Sequence, residues 1–220
     1  MAPSPVVQKL YQSRAARSFD GVDLETVTMD LGYYCDLQSV HSEDAITYNF
    51  FGITGDRSIE VLNWLSDRLD LPGGDEACEV SLWRRIPHPD TLVSGGPELD
   101  ALVIGDKTVI IVEAKWKSPE GKGQGKSGTK TQLQLRNEWF AKYGRQTFGN
   151  RTMVVLAVSA YDDDMVLPEP DAQWIEMAML TWRDLTECDP HPHVEEYARY
   201  YRWKVTHSQW RKRRGAPDVR

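Results

Sequence analysis

The chain has few cysteines, and none is arranged for chemistry. Cys35, Cys78 and Cys188 are odd in number, lie far apart and form no CxxC pair. That removes the usual patterns for structural zinc or dithiol redox work and leaves buried or incidental thiols. Equally lacking is any apolar run near the roughly 18 to 20 residues that a membrane span requires. The start, MAPSPVVQKLYQSR, does not have the charged-then-apolar order of a secretory signal. A cytoplasmic protein is therefore expected. There is no internal repeat, and lysine and arginine are missing from Asp20 to Asp44, a stretch with seven acidic residues.

What is present suits a globular protein of one well-cored domain with an elaboration: 220 residues, 40% hydrophobic and 27% charged, with eight tryptophans. A net charge of -7 argues against indiscriminate binding of nucleic acid. The charge is nevertheless segregated. Lys115 to Arg151 holds nine basic against two acidic residues, and Arg199 to Arg220 eight against one. Such blocks fit a polyanion partner or a merely solvated surface.

The order of elements reads as a mixed α/β fold. Residues 1–41 form a leader with a short basic helix near Val6 to Arg17, and they carry no assignable chemistry. Ser42 is a plausible N-cap for a helix whose inner stripe is Ile46, Phe50 and Ile53. A second helical stretch through Ile59, Leu62, Leu65 or Ser66, and Leu69 stops at Pro72-Gly73-Gly74. Strands follow at Glu79 to Ile86, Leu99 to Ile104 and Thr108 to Ala114. The run Val109 to Val112 is apolar on both faces, which marks a central strand. A Gly- and Lys-rich loop leads to a helix from Thr131 to about Gln146. Strands at Met153 to Ser159 and Trp174 to Leu180 come next, then a helix capped by Thr181 and a last one from Val194. The core is expected over residues 42–190, with the final helix and a basic tail over 191–220.

The chemistry gathers at the middle strands. If the chain turns at Gly105-Asp106-Lys107-Thr108 as an even hairpin, paired residue numbers sum to 213. Asp100 then faces Glu113, and Glu98 faces Lys115. Two carboxylates directly opposite, roughly 4.5 to 5.5 Å apart at Cβ, repel each other unless something positive lies between. Both continue core-facing rows, Asp100 with Leu102 and Ile104, Glu113 with Ile111 and Val109. Oxygen ligands at the edge of a core suit Mg²⁺ or Mn²⁺. Lys115 points the same way, where a cation can orient a nucleophile or stabilise transition-state charge.

The segments Glu98-Leu99-Asp100 and Glu113-Ala114-Lys115 resemble the signature of the PD-(D/E)XK nucleases, with Leu99 where the family name has the residue before its Asp. The resemblance implies a restriction-endonuclease-like core. It implies that Asp100, Glu113 and the Ala114 carbonyl hold the metal and that Lys115 stands beside the attacking water. Glu43 matches the helical Glu that often joins such sites, although acidic residues favour helix N-termini in any case. Gln132, lying with Leu135 and Trp139, fits the Gln that some members carry on the next helix; Gln134 and a plain exposed helix residue are the alternatives. Where a branch similar to phage exonucleases has Gln-xxx-Tyr, this chain has Gln132-Leu133-Gln134-Leu135-Arg136. The likeness covers about residues 42–180.

Basic residues near this constellation are candidate nucleic-acid contacts: Lys117, Lys122, Lys126, Lys130 and Arg136, and in the tail Arg211, Lys212, Arg213 and Arg214. The loop from Gly121 to Ser127 looks like a phosphate-cradling P-loop, but that motif needs glycine where Glu120 stands. Trp203 is expected in the core. His191 and His193 sit in a Pro-rich turn, with metal binding the lesser reading. The expected activity is a Mg²⁺- or Mn²⁺-dependent nuclease, acting on DNA before RNA, with a homodimer or a protein partner open. The competing reading is a module that binds nucleic acid or protein on the same fold without cutting.

Overall fold

A computed structural model describes residues 43–88, 96–116, 128–161 and 165–207. The leader, Ser42, the lysines 117, 122 and 126, Trp210 and the tail cluster Arg211 to Arg214 lie outside the described residues.

The architecture is α/β, built on one five-stranded sheet in the order β1-β2-β3-β4-β5. Helix α1 (Glu43–Phe51) and helix α2 (Ser58–Arg68) precede β1 (Cys78–Leu82), β2 (Ala101–Gly105) and β3 (Thr108–Ala114). Helix α3 (Gln132–Trp139) continues through a wider π-helical turn, Phe140–Gly144, into a last turn at Arg145–Phe148. Strands β4 (Thr152–Ser159) and β5 (Ile175–Thr181) and helix α4 (Val194–His207) complete it. The first three strands run antiparallel, and β3, β4 and β5 run parallel. The C-terminal ends of the three parallel strands therefore lie together with the start of β2.

Period-2 alternation divides the sheet into two cores. Ala101, Val103, Ile110, Val112 and Leu156 pack against α1, α2 and α4 through Phe50, Leu62 and Tyr197. Leu102, Val109, Ile111 and Val155 pack against α3 through Leu133 and Phe140. All seven residues of β3 are buried, as a central strand covered on both faces requires. The β2–β3 register pairs Ala101 with Val112 and Ile104 with Val109, so the expected sum of 213 holds. Its turn is closed by Asp75, which accepts from the Lys107 and Thr108 amides at 2.6 and 3.2 Å. Gly105 must be glycine there, because a Cβ would lie 2.2 Å from an Asp75 carboxylate oxygen.

The first strand is shorter than expected. Trp83 has φ 53°, a left-handed conformation where β1 ends at Leu82, and beyond it the chain keeps to residues 97–100 through single backbone hydrogen bonds and an isolated bridge between Arg85 and Glu98. Helix α3 begins on a capping box, Thr131 accepting from the Gln134 amide while Gln134 reaches back to the Thr131 amide. Thr181 caps no long helix; with Asp184 it closes a short 3₁₀ turn, Asp184–Glu187. No helix among the described residues is long and apolar enough to cross a membrane.

His191 is buried and fixes α1 against the approach to α4. Its Nε2 donates to the Phe50 carbonyl at 2.9 Å, Nδ1 accepts from the His193 amide at 3.1 Å, and the ring stacks on Phe50. This is a satisfied core histidine. Burial, with His193 adding to it, holds its pKa below the ordinary value. The unfolded chain therefore binds the proton more readily than the folded one. Stability from the neutral ring is complete above about pH 6.5 and is lost as pH falls below it. Denaturant midpoints measured at pH 7 and pH 5 should fall further in the wild type than in His191→Gln. Equal losses would remove His191 as the cause.

Candidate functional site at the end of the central strands

Asp100, Glu113 and Lys115 meet at the C-terminal end of β3. Asp100 stands one residue before β2, where its Oδ2 accepts from the Ala114 amide at 2.7 Å. Glu113 is fully buried. Its Oε1 receives the Lys115 ammonium at 2.9 Å, and its Oε2 receives the Arg136 guanidinium at 3.1 Å. Lys115 lies just beyond β3, 6% exposed, tied to β4 by a hydrogen bond that its backbone N–H donates to the Val158 carbonyl at 2.7 Å. The indole of Trp182, just after β5, donates to the Lys115 carbonyl at 2.9 Å.

Glu43 arrives from the other face of the sheet. As the first residue of α1 it spans the strand ends, with Oε1 3.2 Å from the Lys115 ammonium and Oε2 accepting from the Trp116 amide at 2.9 Å. The ammonium also donates to the Ala114 carbonyl at 2.7 Å. One cation is thus bonded to Glu43, Glu113 and Ala114, three of the four groups expected to hold metal, while Asp100 is anchored on the same Ala114 residue.

The charge balance is uneven. When ionised, Glu43, Asp100 and Glu113 contribute three negative charges, against two positive charges from Lys115 and Arg136. Burial, and next the charge of Glu113, push the Asp100 carboxyl well above the usual range, against the pull of Lys115. Burial raises Glu43 too, opposed by Lys115 and the Trp116 amide. For Lys115 burial disfavours the charge, but Glu113, Asp100 and Glu43 together outweigh it and raise the pKa, so the side chain stays an ammonium. The cluster is short of positive charge. Glu43 Oε1, Glu113 Oε1 and the Ala114 carbonyl are turned toward one cation, and with the Asp100 carboxylate beside them they are an all-oxygen donor set of the kind that suits a hard divalent ion. Among the described residues no group of three or more His, Cys, Asp or Glu side chains is drawn together as a finished metal cage.

Arg136 requires correction as a surface phosphate contact. It is 1% exposed, and Nη2 bonds both Glu113 and the Glu98 carbonyl, the latter at 2.8 Å. The signal lay in helical spacing: Leu133, Arg136 and Phe140 share one stripe of α3, and the flanking pair are core. Gln132, the first residue of α3, is half-buried, and Gln134 is occupied by the capping box. Lys130 pairs with Glu138 at 2.8 Å on a half-exposed surface. Glu98 pairs its carboxylate with Arg85 at 3.6 Å rather than with Lys115.

Trp203 is also corrected. It is 41% exposed and stacks on Tyr200, whereas Lys204 is fully buried with its ammonium 4.6 Å from the Trp116 ring centre. Tyr197, Tyr201 and Lys204 form the inner face of α4, so Trp203 points away. Sequence reasoning missed Lys204 and Trp182 as supports of the site. Nothing in the sequence marks Lys204, because a lysine in a helix reads as solvated until its aromatic partner is known.

Compared with protein-family models, with curated proteins and with solved structures, the chain gives no match.

Proposed function

We propose that the chain is a metal-dependent phosphodiesterase of the restriction-endonuclease type, hydrolysing nucleic acid, DNA before RNA. The observation that carries this reading is the convergence of Glu43, Glu113 and the Ala114 carbonyl on the Lys115 ammonium within 3.2 Å, with Asp100 on the adjoining strand. A purely structural ion pair needs one carboxylate. This cluster retains three, two of them raised in pKa, which is costly in the absence of a further positive charge.

In this reading Asp100, Glu113, Glu43 and the Ala114 carbonyl would hold Mg²⁺ or Mn²⁺. Such an ion supplies charge neutralisation at the phosphate and a more acidic water. The chain's own part is positioning. Arg136 fixes one Glu113 oxygen so that the other faces the site, and Asp100 is held by the Ala114 amide. Lys115 supplies a permanent cation near the attacked phosphorus, where charge accumulates in the transition state. Lys130, the lysines of residues 117–126 and the tail cluster Arg211 to Arg214 are the proposed backbone contacts. A cytoplasmic location, and action as a homodimer or with a protein partner, belong to the same proposal.

The second reading is a non-catalytic module holding nucleic acid or protein on this fold. It draws on the fact that Glu113 is already neutralised from both sides by Lys115 and Arg136. One gel separates the two. Linear duplex, circular duplex, single-stranded DNA and RNA are incubated with Mg²⁺, Mn²⁺ or EDTA, beside the Lys115→Ala protein. Cleavage that needs both the metal and Lys115 is the expected result. Retention of nucleic acid without cutting under either metal would transfer the assignment to the binding module.

A further inference from the structure

An ammonium has three N–H donors, and Lys115 spends all of them at one point: Glu113 Oε1 at 2.9 Å, the Ala114 carbonyl at 2.7 Å and Glu43 Oε1 at 3.2 Å. These acceptors come from β3 within the sheet and from α1, which packs on one of its faces. Glu113 has no freedom to swing away, because Arg136 holds its second oxygen. Glu43 is likewise restrained by the Trp116 amide. The ammonium therefore sits inside a preformed ring of oxygens.

We infer that Lys115 is an internal plug: in the metal-free protein its ammonium stands where a divalent cation would bind, so that metal entry and the Lys115 contacts exclude each other. This rests on the proposed reading that Asp100, Glu113, Glu43 and Ala114 form a metal site. The physical ground is simple. Distances of 2.7 to 3.2 Å suit N–H···O bonds, whereas Mg²⁺ draws its oxygens in to about 2.1 Å. A divalent ion and an ammonium cannot share one ring of that size, since their repulsion at a few ångströms in a partly buried setting is severe. Metal must expel the ammonium, and expulsion frees its three donors beside the site, where a phosphate can take them. One residue then does two things in sequence. It neutralises the carboxylates when metal is absent, and it presents a free cation only once metal is in place.

Removal of the plug should separate metal affinity from activity. Lys115→Met keeps most of the length of the unbranched side chain and loses the charge. Calorimetric titration with Mn²⁺ should give a dissociation constant at least tenfold lower for Lys115→Met than for the wild type. In EDTA the variant should melt below the wild type, and Mn²⁺ should raise its melting temperature by more. Equal or weaker Mn²⁺ binding by the variant, with wild-type binding that is lost in Glu113→Gln, overturns the plug and leaves the metal site standing. Absence of Glu113-dependent binding in both proteins overturns the metal site and the plug together. A measurement on the wild type covers the case in which the variant does not fold. Site-resolved mass spectrometry after brief treatment with an amine-reactive ester should show several-fold more modification of Lys115 with Mn²⁺ than with EDTA. Unchanged or reduced modification overturns the plug.

Discussion

Arg136→Met is expected to lower the unfolding free energy by about 3 to 5 kcal/mol, the usual cost of breaking a buried ion pair from one side. Glu113 is fully buried, and the methionine would leave its Oε2 and the Glu98 carbonyl without the guanidinium. For a chain of this size such a loss corresponds to a fall in melting temperature on the order of 10 °C. The double variant Arg136→Met with Glu113→Gln should recover a substantial part, because the buried negative charge that Arg136 neutralises is removed together with it. Denaturant unfolding of the four proteins in EDTA tests both statements. A loss below about 1 kcal/mol in the single variant would mean that Lys115 alone suffices to neutralise Glu113.

Asp100→Asn is expected to move stability and activity in opposite directions. A carboxyl whose folded-state pKa lies above its unfolded value helps the folded chain only while protonated, and that help is lost as pH rises through the raised value. Burial and Glu113 impose such a rise on Asp100, so at pH 7 the aspartate costs stability. Asparagine has nearly the same shape, and its Oδ1 can still accept from the Ala114 amide. The variant should therefore melt above the wild type at pH 7 in EDTA, with the gap narrowing toward pH 4. Under the proposed nuclease reading it should lose about 10³-fold or more of the cleavage activity, equivalent to some 4 kcal/mol of barrier, as expected of a group proposed to carry charge at the reacting centre. A lower melting temperature at pH 7 would contradict the electrostatic account. Retained cleavage would exclude Asp100 from the site. The conflict between function and stability is expected wherever like charges are gathered for use rather than for folding.

The part of this site legible in the sequence was the part that strand periodicity controls. Apolar alternation on two consecutive segments with a two-residue turn left one sensible register, and the pairing of Ala101 with Val112 follows it. That register is what brings Asp100 next to Glu113. Glu43 was legible because Ile46 and Phe50 assigned its helix face, although no local pattern told that the helix would reach across the strand ends. Arg136 was read as a surface charge, and Lys204 was passed over, because their partners, Glu113 and Trp116, are remote in sequence. Burial of a charge depends on such partners, and helical spacing alone marks only the face. Trp203 was misassigned for the converse reason: aromatic character suggested core, while the position on α4 opposes it. The end of β1 at Trp83 depends on a left-handed backbone residue that no composition signal announces.

The reach of Glu43 over the strand ends bears on how the site comes into being during folding. Its bonds to Lys115 and Trp116 close loops of 72 and 73 residues, and the Trp182 indole adds one of 67 residues to the same Lys115. Contacts of such high sequence separation carry a large closure entropy and are late events in a search that begins with local hairpins and helices. The β2–β3 hairpin can therefore present Asp100 and Glu113 to each other well before the helix that completes the cluster has docked. Amide exchange at Trp116, whose N–H is held by Glu43, reads the final docking step directly and separates a folded sheet from a completed site.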